Sequence, residues 1–418
     1  MASIQSSLKL GIHIARHQFW NLRRLLKGKS VTSPSFIAAT TDKDDADRVR
    51  EWLNRPEDWY NQATVEHFES AFAGWNSSAH ASAFMGGRVA LSAIISALGL
   101  GEGDEVVVPG YTCVVVPNAF RYAGVDVVYA DIELDTYGPD VDSVASKISE
   151  RTSAILIHHL YGLICRDYEA LLALADRHDL HVIEDCTHAT GARYEGERIG
   201  NRGDAAFYSS EHSKCFSTVQ GGIATTNNSE IAQGIDEYAE QADFPEKERV
   251  RRLLHTFLLD YYTHSHPRRW FWGDLYRNRY SQDRLISTTD AEKNGVCPPH
   301  YGQRMPAPLA RIGLQQLGKL DCYNDRRRTN AERWHSWCED HGYTRPYVLE
   351  GAEPTWLRYP VLVEPQRKAD RSWAKEEIGV RPGVWFRSNI HPVNRRVDRC
   401  PRADKAVSRC INLPTILK

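Results

Sequence analysis

From about residue 84 onward, short apolar runs alternate with stretches of helical period, separated by turn residues. That alternation is how a series of β-α-β units builds a parallel sheet. The strand candidates are Glu105-Val-Val-Val-Pro109, Val125-Asp-Val-Val-Tyr129, Ala154-Ile-Leu-Ile-His158, His181-Val-Ile-Glu-Asp185, Ala205-Ala-Phe-Tyr208 and Ile223-Ala-Thr-Thr226. Between them, Val89, Leu91, Ile94, Ile95 and Leu98 mark a helix from Arg88 to Leu98, and Leu171, Leu172 and Ala175 mark another from Tyr168 to His178. The chain reads as α/β.

After residue 226 the pattern changes to a long helical and aromatic stretch, and Leu309 to Leu320 reads as a helix leading into a second domain. This predicts a large domain over 59–315, with an aromatic and basic insertion at about 245–295, and a small α/β domain over 316–418 with a strand candidate at Trp356 to Val363. Residues 1–58 are an arm and linker. Within them, 8–29 carry no acidic residue, and Leu8, Ile12, Phe19, Leu22 and Leu26 fall near one helical stripe while Lys9, Arg16, Arg23 and Lys27 line another side. Such a helix suits peripheral contact with a membrane surface or packing against its own or a neighbouring subunit.

Composition narrows the partners. A chain of 418 residues exceeds what one core usually serves, so it is large enough to bury a cofactor. Lys and Arg number 52 against 54 Asp and Glu, a formal balance of −2, so no overall basic field draws the chain to nucleic acid. Nine cysteines without a CxxC pair point to reduced thiols and a cytoplasmic setting. No run approaches the roughly 18 consecutive apolar residues of a spanning helix, and the N-terminus lacks the pattern of a secretory signal. The chain reads as soluble.

Three features in chain order point to one chemistry. A cofactor held through its aldehyde needs a lysine, a carboxylate against its ring nitrogen, and backbone amides at a helix start for its phosphate. Gly86-Gly87-Arg88 opens the first predicted helix, where two glycines let backbone approach an anion. Alone, such a pair is an ordinary turn. Asp185 ends a predicted strand, and ligands of open α/β sheets sit beyond the carboxyl ends of strands. His188 lies three residues on and is placed to hydrogen-bond a ring hydroxyl from the same side. Lys214 follows a strand candidate by six residues and precedes Gly221-Gly222, which sets it on a loop between core strands. Ser209 offers a hydroxyl to the phosphate from the same loop. Singly, Asp185 also suits a helix cap, His188 a surface position and Lys214 a solvated charge.

Taken together, Gly86-Gly-Arg-Val-Ala-Leu91, Val108-Pro-Gly-Tyr-Thr112, His159-Leu-Tyr-Gly162, Val182-Ile-Glu-Asp-Cys-Thr-His-Ala-Thr-Gly-Ala192 and Ser209-Ser-Glu-His-Ser-Lys214 resemble the DegT-type sugar aminotransferase family, from about residue 60 onward. The resemblance implies a type I aminotransferase fold: a mostly parallel central sheet with helices on both faces and a smaller C-terminal α/β domain. It implies pyridoxal 5′-phosphate (PLP) as cofactor and a homodimer. The implied reaction moves an amino group from glutamate or glutamine to a nucleotide-linked keto-sugar or similar cyclic ketone. No metal is expected.

By the same resemblance Lys214 stands at the Schiff-base position, Asp185 at the ring nitrogen, and His188 where the family commonly has Gln. Ser209, Gly87 and Arg88 fall on the phosphate contacts. Relatives that deoxygenate sugars have His at the lysine position, so Lys214 favours amino transfer. Cys113 stands where the family sets an aromatic ring against the cofactor, which leaves stacking lost or supplied by a residue such as Tyr111. Glu211 replaces a usual His or Tyr, and Gly302 stands where the partner subunit normally contributes Asn. The stretch from Gly222 to Arg304 is longer than the family pattern, and the chain stops soon after Leu413-Pro-Thr, earlier than the family's final helix. These departures keep open a PLP enzyme acting on a non-sugar substrate and a non-catalytic regulatory or membrane-associated protein on this scaffold.

Overall fold

The computed structural model describes Phe19, Leu26 and residues 36–37, 39–265, 288–380 and 382–416. The amphipathic stretch 8–29 and the aromatic, basic run 266–280 therefore lie, apart from those two residues, outside the described part.

Seven strands form the central sheet. They are β1 (His80–Phe84), β2 (Glu105–Pro109), β3 (Asp126–Ala130), β4 (Thr152–His158), β5 (His181–Asp185), β6 (Ala205–Ser209) and β7 (Gly222–Thr226). The spatial order is β1-β7-β6-β5-β4-β2-β3. From β6 to β3 every pairing is parallel, while β7 runs antiparallel to β6 and β1 antiparallel to β7. The sheet is mostly parallel, as the alternating pattern predicts. The loop between β6 and β7 forms no helix, and β7 returns antiparallel beside β6. β1 has no apolar run of its own, and its recognition depends on pairing with β7.

Burial explains the apolar strands. β2, β6 and β7 are buried at every residue, which requires cover on both faces. Because side chains alternate along a strand, Val106, Val108, Leu156, Ile183 and Phe207 join one core, and Val107, Ile155, Ile157, Val182 and Tyr208 join the other. The first face is covered by the helix Gly87–Ala97 together with Val115–Tyr122 and Ser229–Gln241; the second by Gln62–Asn76, Tyr168–Arg177 and Lys247–Asp260.

A helix of 34 residues, Ala307–Asp340, runs across the boundary predicted near 315. Its first half, with Leu309, Ile312, Leu317 and Leu320, packs into the large core. Its second half, with Ala331, Trp334, Trp337 and Cys338, packs into a separate core with Tyr359, Val361, Ile411 and Leu413. The strand expected over Trp356 to Val363 is confined to Tyr359–Leu362, paired antiparallel with Cys410–Leu413. The linker also contains structure: Lys43–Leu53 is a helix capped by Asp42, and Asp42 and Asp45 pair with Lys319 of the long helix at 2.7 Å. Among the described residues, no helix is long and apolar enough to cross a membrane.

Candidate active site

The parallel strands deliver their carboxyl ends to one cavity of about 980 Å³. Asp185 is the last residue of β5 and is 8 % exposed. Its carboxyl oxygen accepts from the Thr187 amide at 3.0 Å, a bond that fixes the side chain at the cavity wall. His188 is buried, and its Nδ1 accepts from the Tyr161 amide at 3.3 Å. Burial holds its pKa well below the ordinary imidazole value, with Lys214 and Arg358 adding repulsion. The ring is therefore neutral, and with Nδ1 accepting, its proton resides on Nε2.

At the helix start, Gly86 is the N-cap of Gly87–Ala97 and lines the cavity. First-turn amides have no carbonyl partner within their own helix. Two close approaches explain the glycines. A Cβ on Gly222 would sit 2.2 Å from the Gly86 carbonyl carbon, and one on Gly87 would meet the Tyr208 carbonyl oxygen at 3.2 Å and Ser209 Cβ at 3.3 Å. At Gly86 the space ahead is open, the nearest atoms being those of Arg88 at 4.0 Å. Ser209 faces the same end, its hydroxyl donating to the Gly221 carbonyl at 3.4 Å. The Arg88 side chain is held by the buried Glu292 carboxylate, which also closes a capping box with Thr289.

Lys214 lies on the loop between β6 and β7, its amide donating to the Glu211 carbonyl at 2.9 Å. Its Nζ stands 5.0 Å from the centre of the Trp385 ring, which is itself 4.2 Å from the His188 ring. Burial lowers the amine's pKa, partly offset by Glu211 and Asp185. Next to it, His212 is clamped between two carboxylates, Nε2 to Glu211 at 2.8 Å and Nδ1 to Asp260 at 2.8 Å. Burial opposes charge on this imidazole, yet Glu211 and Asp260 raise its pKa to about 10. Burial would likewise raise the Glu211 carboxyl, but His212, Ser213 and Lys214 bring it down to about 2.

Every predicted site residue, Gly87, Arg88, Cys113, Asp185, His188, Ser209 and Lys214, lines this cavity. The suggestion that Tyr111 supplies ring stacking is corrected. Tyr111 is fully buried beneath the wall, its hydroxyl 3.0 Å from that of Tyr161 and its ring 4.6 Å from Phe386, and the aromatic residue beside Lys214 is Trp385. Cys113 sits on a short strand that pairs in parallel with Ile390–His391, and burial raises its thiol pKa. At Gly302 a Cβ would meet the Tyr238 hydroxyl at 2.8 Å, so a neighbouring ring occupies the room a side chain would need. The cluster His159, Glu184 and Cys186 has metal-ligand atom types but is structural. Glu184 already accepts from His159, Tyr168, Gly200, Arg202 and Gly203.

Sequence reading missed Glu292, Asp260, Arg358 and Trp385. Asp260 ends the helix Lys247–Asp260 and Glu292 lies on the short helix Asp290–Lys293, both in the insertion, and none stands at a spacing that links it to its partner.

The sequence profile of the DegT/DnrJ/EryC1/StrS aminotransferase family matches residues 39–418. The chain belongs to that family. It is 37 % identical over 369 residues to GDP-perosamine synthase of Caulobacter vibrioides, covering 86 % of this chain and 85 % of that protein. It is also 30 % identical over 284 residues to L-glutamine:2-deoxy-scyllo-inosose aminotransferase of Streptomyces paromomycinus, covering 68 % of this chain and 58 % of the relative. The solved structure of S. venezuelae DesV superposes with a TM-score of 0.66 at 25 % identity, covering 89 % of this chain and 88 % of DesV. As a member of the DegT/DnrJ/EryC1/StrS family, the chain is a PLP-dependent aminotransferase with the type I fold. The residues fit the cofactor: open space at Gly86 lies at a helix start, Asp185 ends a strand, and a partly buried lysine lines the same cavity.

Proposed function

We propose that this enzyme transfers the amino group of glutamine or glutamate to a keto carbon of a nucleotide-linked sugar or similar cyclic ketone, as a cytoplasmic homodimer. The observation that carries the reading is Lys214 inside the cavity, within reach of the Asp185 and His188 wall. When bound, PLP supplies an electron sink that makes the carbon bearing the nitrogen acidic. The chain's own groups do the rest. Lys214 would hold the cofactor, and its amine would take the proton from the carbon bearing the nitrogen and return it, as base and then acid. Its burial favours the neutral amine that this requires. Asp185 sits where a carboxylate keeps the ring nitrogen protonated. His188, donating from Nε2, suits the ring hydroxyl. Gly87, Arg88 and Ser209 form the phosphate end, and Cys113 stands along the wall.

Acceptor class is supported by the relatives, one acting in GDP-perosamine synthesis and the other named for an inosose, a cyclic ketone. The test is direct. The purified protein, reduced with borohydride and mapped by peptide, is expected to carry the cofactor on Lys214. Recovery of the cofactor on another lysine, or none at all, rejects the assignment. Screening keto-sugars against keto acids, with glutamine and glutamate as donors, decides substrate class.

A further inference from the structure

The insertion brings into the cavity a cation whose hydrogen bonds are all to neutral groups. Arg249 stands on the helix Lys247–Asp260, is half-buried and lines the cavity. Among the described residues it bonds two side-chain amides: Nη1 donates to Gln303 Oε1 at 2.6 Å and Nη2 to Gln220 Oε1 at 3.4 Å. A guanidinium has five N–H donors, so these bonds leave donors for a further acceptor. Arg88 and the exposed Arg252 repel it, and the carboxylate that acts on it is Glu292. Both Glu292 oxygens are committed, Oε1 to Arg88 and Oε2 to the Thr289 amide at 2.7 Å and hydroxyl at 2.9 Å. Glu246 and Glu248 also line the cavity, but both are exposed, and Glu248 pairs with Arg251 at 3.1 Å.

The two amides that hold Arg249 fix where it sits. Gln220 precedes Gly221, whose carbonyl accepts from the Ser209 hydroxyl at 3.4 Å. The Gln303 carbonyl accepts from the Met85 amide at 3.0 Å, one residue before Gly86. Arg249 is thus tied to both backbone segments that bound the Gly86, Gly87 and Ser209 end of the cavity. Arg88 and Glu292 sum to no net charge there, and the positive charge left over is that of Arg249. A phosphate monoester carries close to two negative charges at neutral pH, and a forked guanidinium matches its oxygens. A partly desolvated cation held only by neutral groups is stabilised when such an anion arrives.

We propose that Arg249 is a ligand of the cofactor phosphate, supplied by the insertion of the same chain that carries Lys214. The inference rests on the transaminase reading above and adds a residue to its phosphate end.

The test compares PLP with pyridoxal, which keeps the aldehyde and lacks the phosphate. Each is titrated into the cofactor-free full chain and followed by absorbance. Arg249→Gln is expected to weaken PLP binding by roughly 10- to 100-fold and to leave pyridoxal binding unchanged, with Arg249→Lys recovering part of the loss. A second measurement needs no variant: phenylglyoxal labelling of the unmodified protein, mapped by peptide, should find Arg249 protected by PLP and by inorganic phosphate but not by pyridoxal. Equal loss for PLP and pyridoxal in Arg249→Gln overturns the proposal, because it marks Arg249 as a clamp between Gln220 and Gln303. Unchanged PLP binding with a raised KM for a nucleotide-linked keto-sugar overturns it too, and assigns Arg249 to a phosphate of the acceptor. Equal protection by PLP and pyridoxal has the same force. If borohydride fixes no PLP on Lys214 of the unmodified protein, the transaminase reading fails first and this inference falls with it; PLP fixed on Lys214 with its affinity unchanged in Arg249→Gln defeats the inference alone.

Discussion

The cavity has two walls built in different ways. One is made of strand ends and the turns that follow them: Gly87 after β1, Asp185 and His188 after β5, Ser209 closing β6. The other is assembled from pairs far apart in sequence: Arg88 with Glu292, His212 with Asp260, and Arg358 with Phe36 and Trp385. The first wall is positioned by the sheet, whose register leaves those side chains little freedom. The second is positioned by charge and ring contacts between segments that approach only in the folded state. The strand-end wall thus holds Asp185, His188 and Ser209, proposed above to meet the cofactor, and the assembled wall depends on contacts between distant segments.

Four substitutions test that division, in order of expected effect. Lys214→Ala removes the proposed proton carrier and is expected to lower transamination by at least about 1000-fold in a steady-state assay. Activity close to normal would break the role proposed for Lys214, which stands on the loop between the two walls. Asp185→Asn, nearly isosteric, is expected to lower kcat by roughly 100-fold or more while circular dichroism stays unchanged, since it removes charge and keeps the backbone.

Asp260→Asn attacks the other wall. It leaves Glu211 and His212 buried with half their clamp, and is expected to cost roughly 3 kcal/mol in denaturant unfolding. The pH dependence carries the sign. His212 has a folded pKa raised to about 10 from the ordinary 6.5, so its stabilisation is complete below about 6.5 and is lost as pH rises through 10. Glu211, lowered to about 2 from 4.5, contributes above 4.5 and loses its contribution as pH falls towards 2. Asp260→Asn should therefore narrow the alkaline limb of the stability profile more than the acid limb. An unchanged alkaline limb would show the clamp to be energetically silent.

Glu292→Gln has the smallest expected effect. Freed from its partner, the Arg88 side chain is expected to leave its place at the end proposed to hold the phosphate, weakening cofactor retention about 10-fold in equilibrium dialysis. If retention tightens instead, the ion pair competes with the cofactor rather than orienting the arginine.

The same division explains what could be read in the chain. β2, β4 and β5 announce themselves because both faces are buried, and Asp185 follows from where β5 stops. The glycines at 86, 87 and 222 mark close approach of backbone, a local property written in composition. β1 was not legible, since His80 is exposed and Ala81 only half-buried at a sheet edge and only the register with β7 makes it a strand. Asp260 and Glu292 read as ordinary charges of helix surfaces, because their partners lie 48 and 204 residues away. Tyr111 shows the converse error. An aromatic residue two positions from Cys113 invites a stacking role, but the cluster with Tyr137, Tyr161 and Phe386 draws it into the core.

The helix Ala307–Asp340 spans about 50 Å at the usual helical rise. Because one end is fixed in the large core and the other in the core of Trp334 and Tyr359, the two cannot be separated by cutting near residue 315. A chimaera that borrows its C-terminal part from a relative must exchange the whole rod with the residues on both its ends. The two cores should also melt together in one calorimetric transition, with the rod as their shared strut.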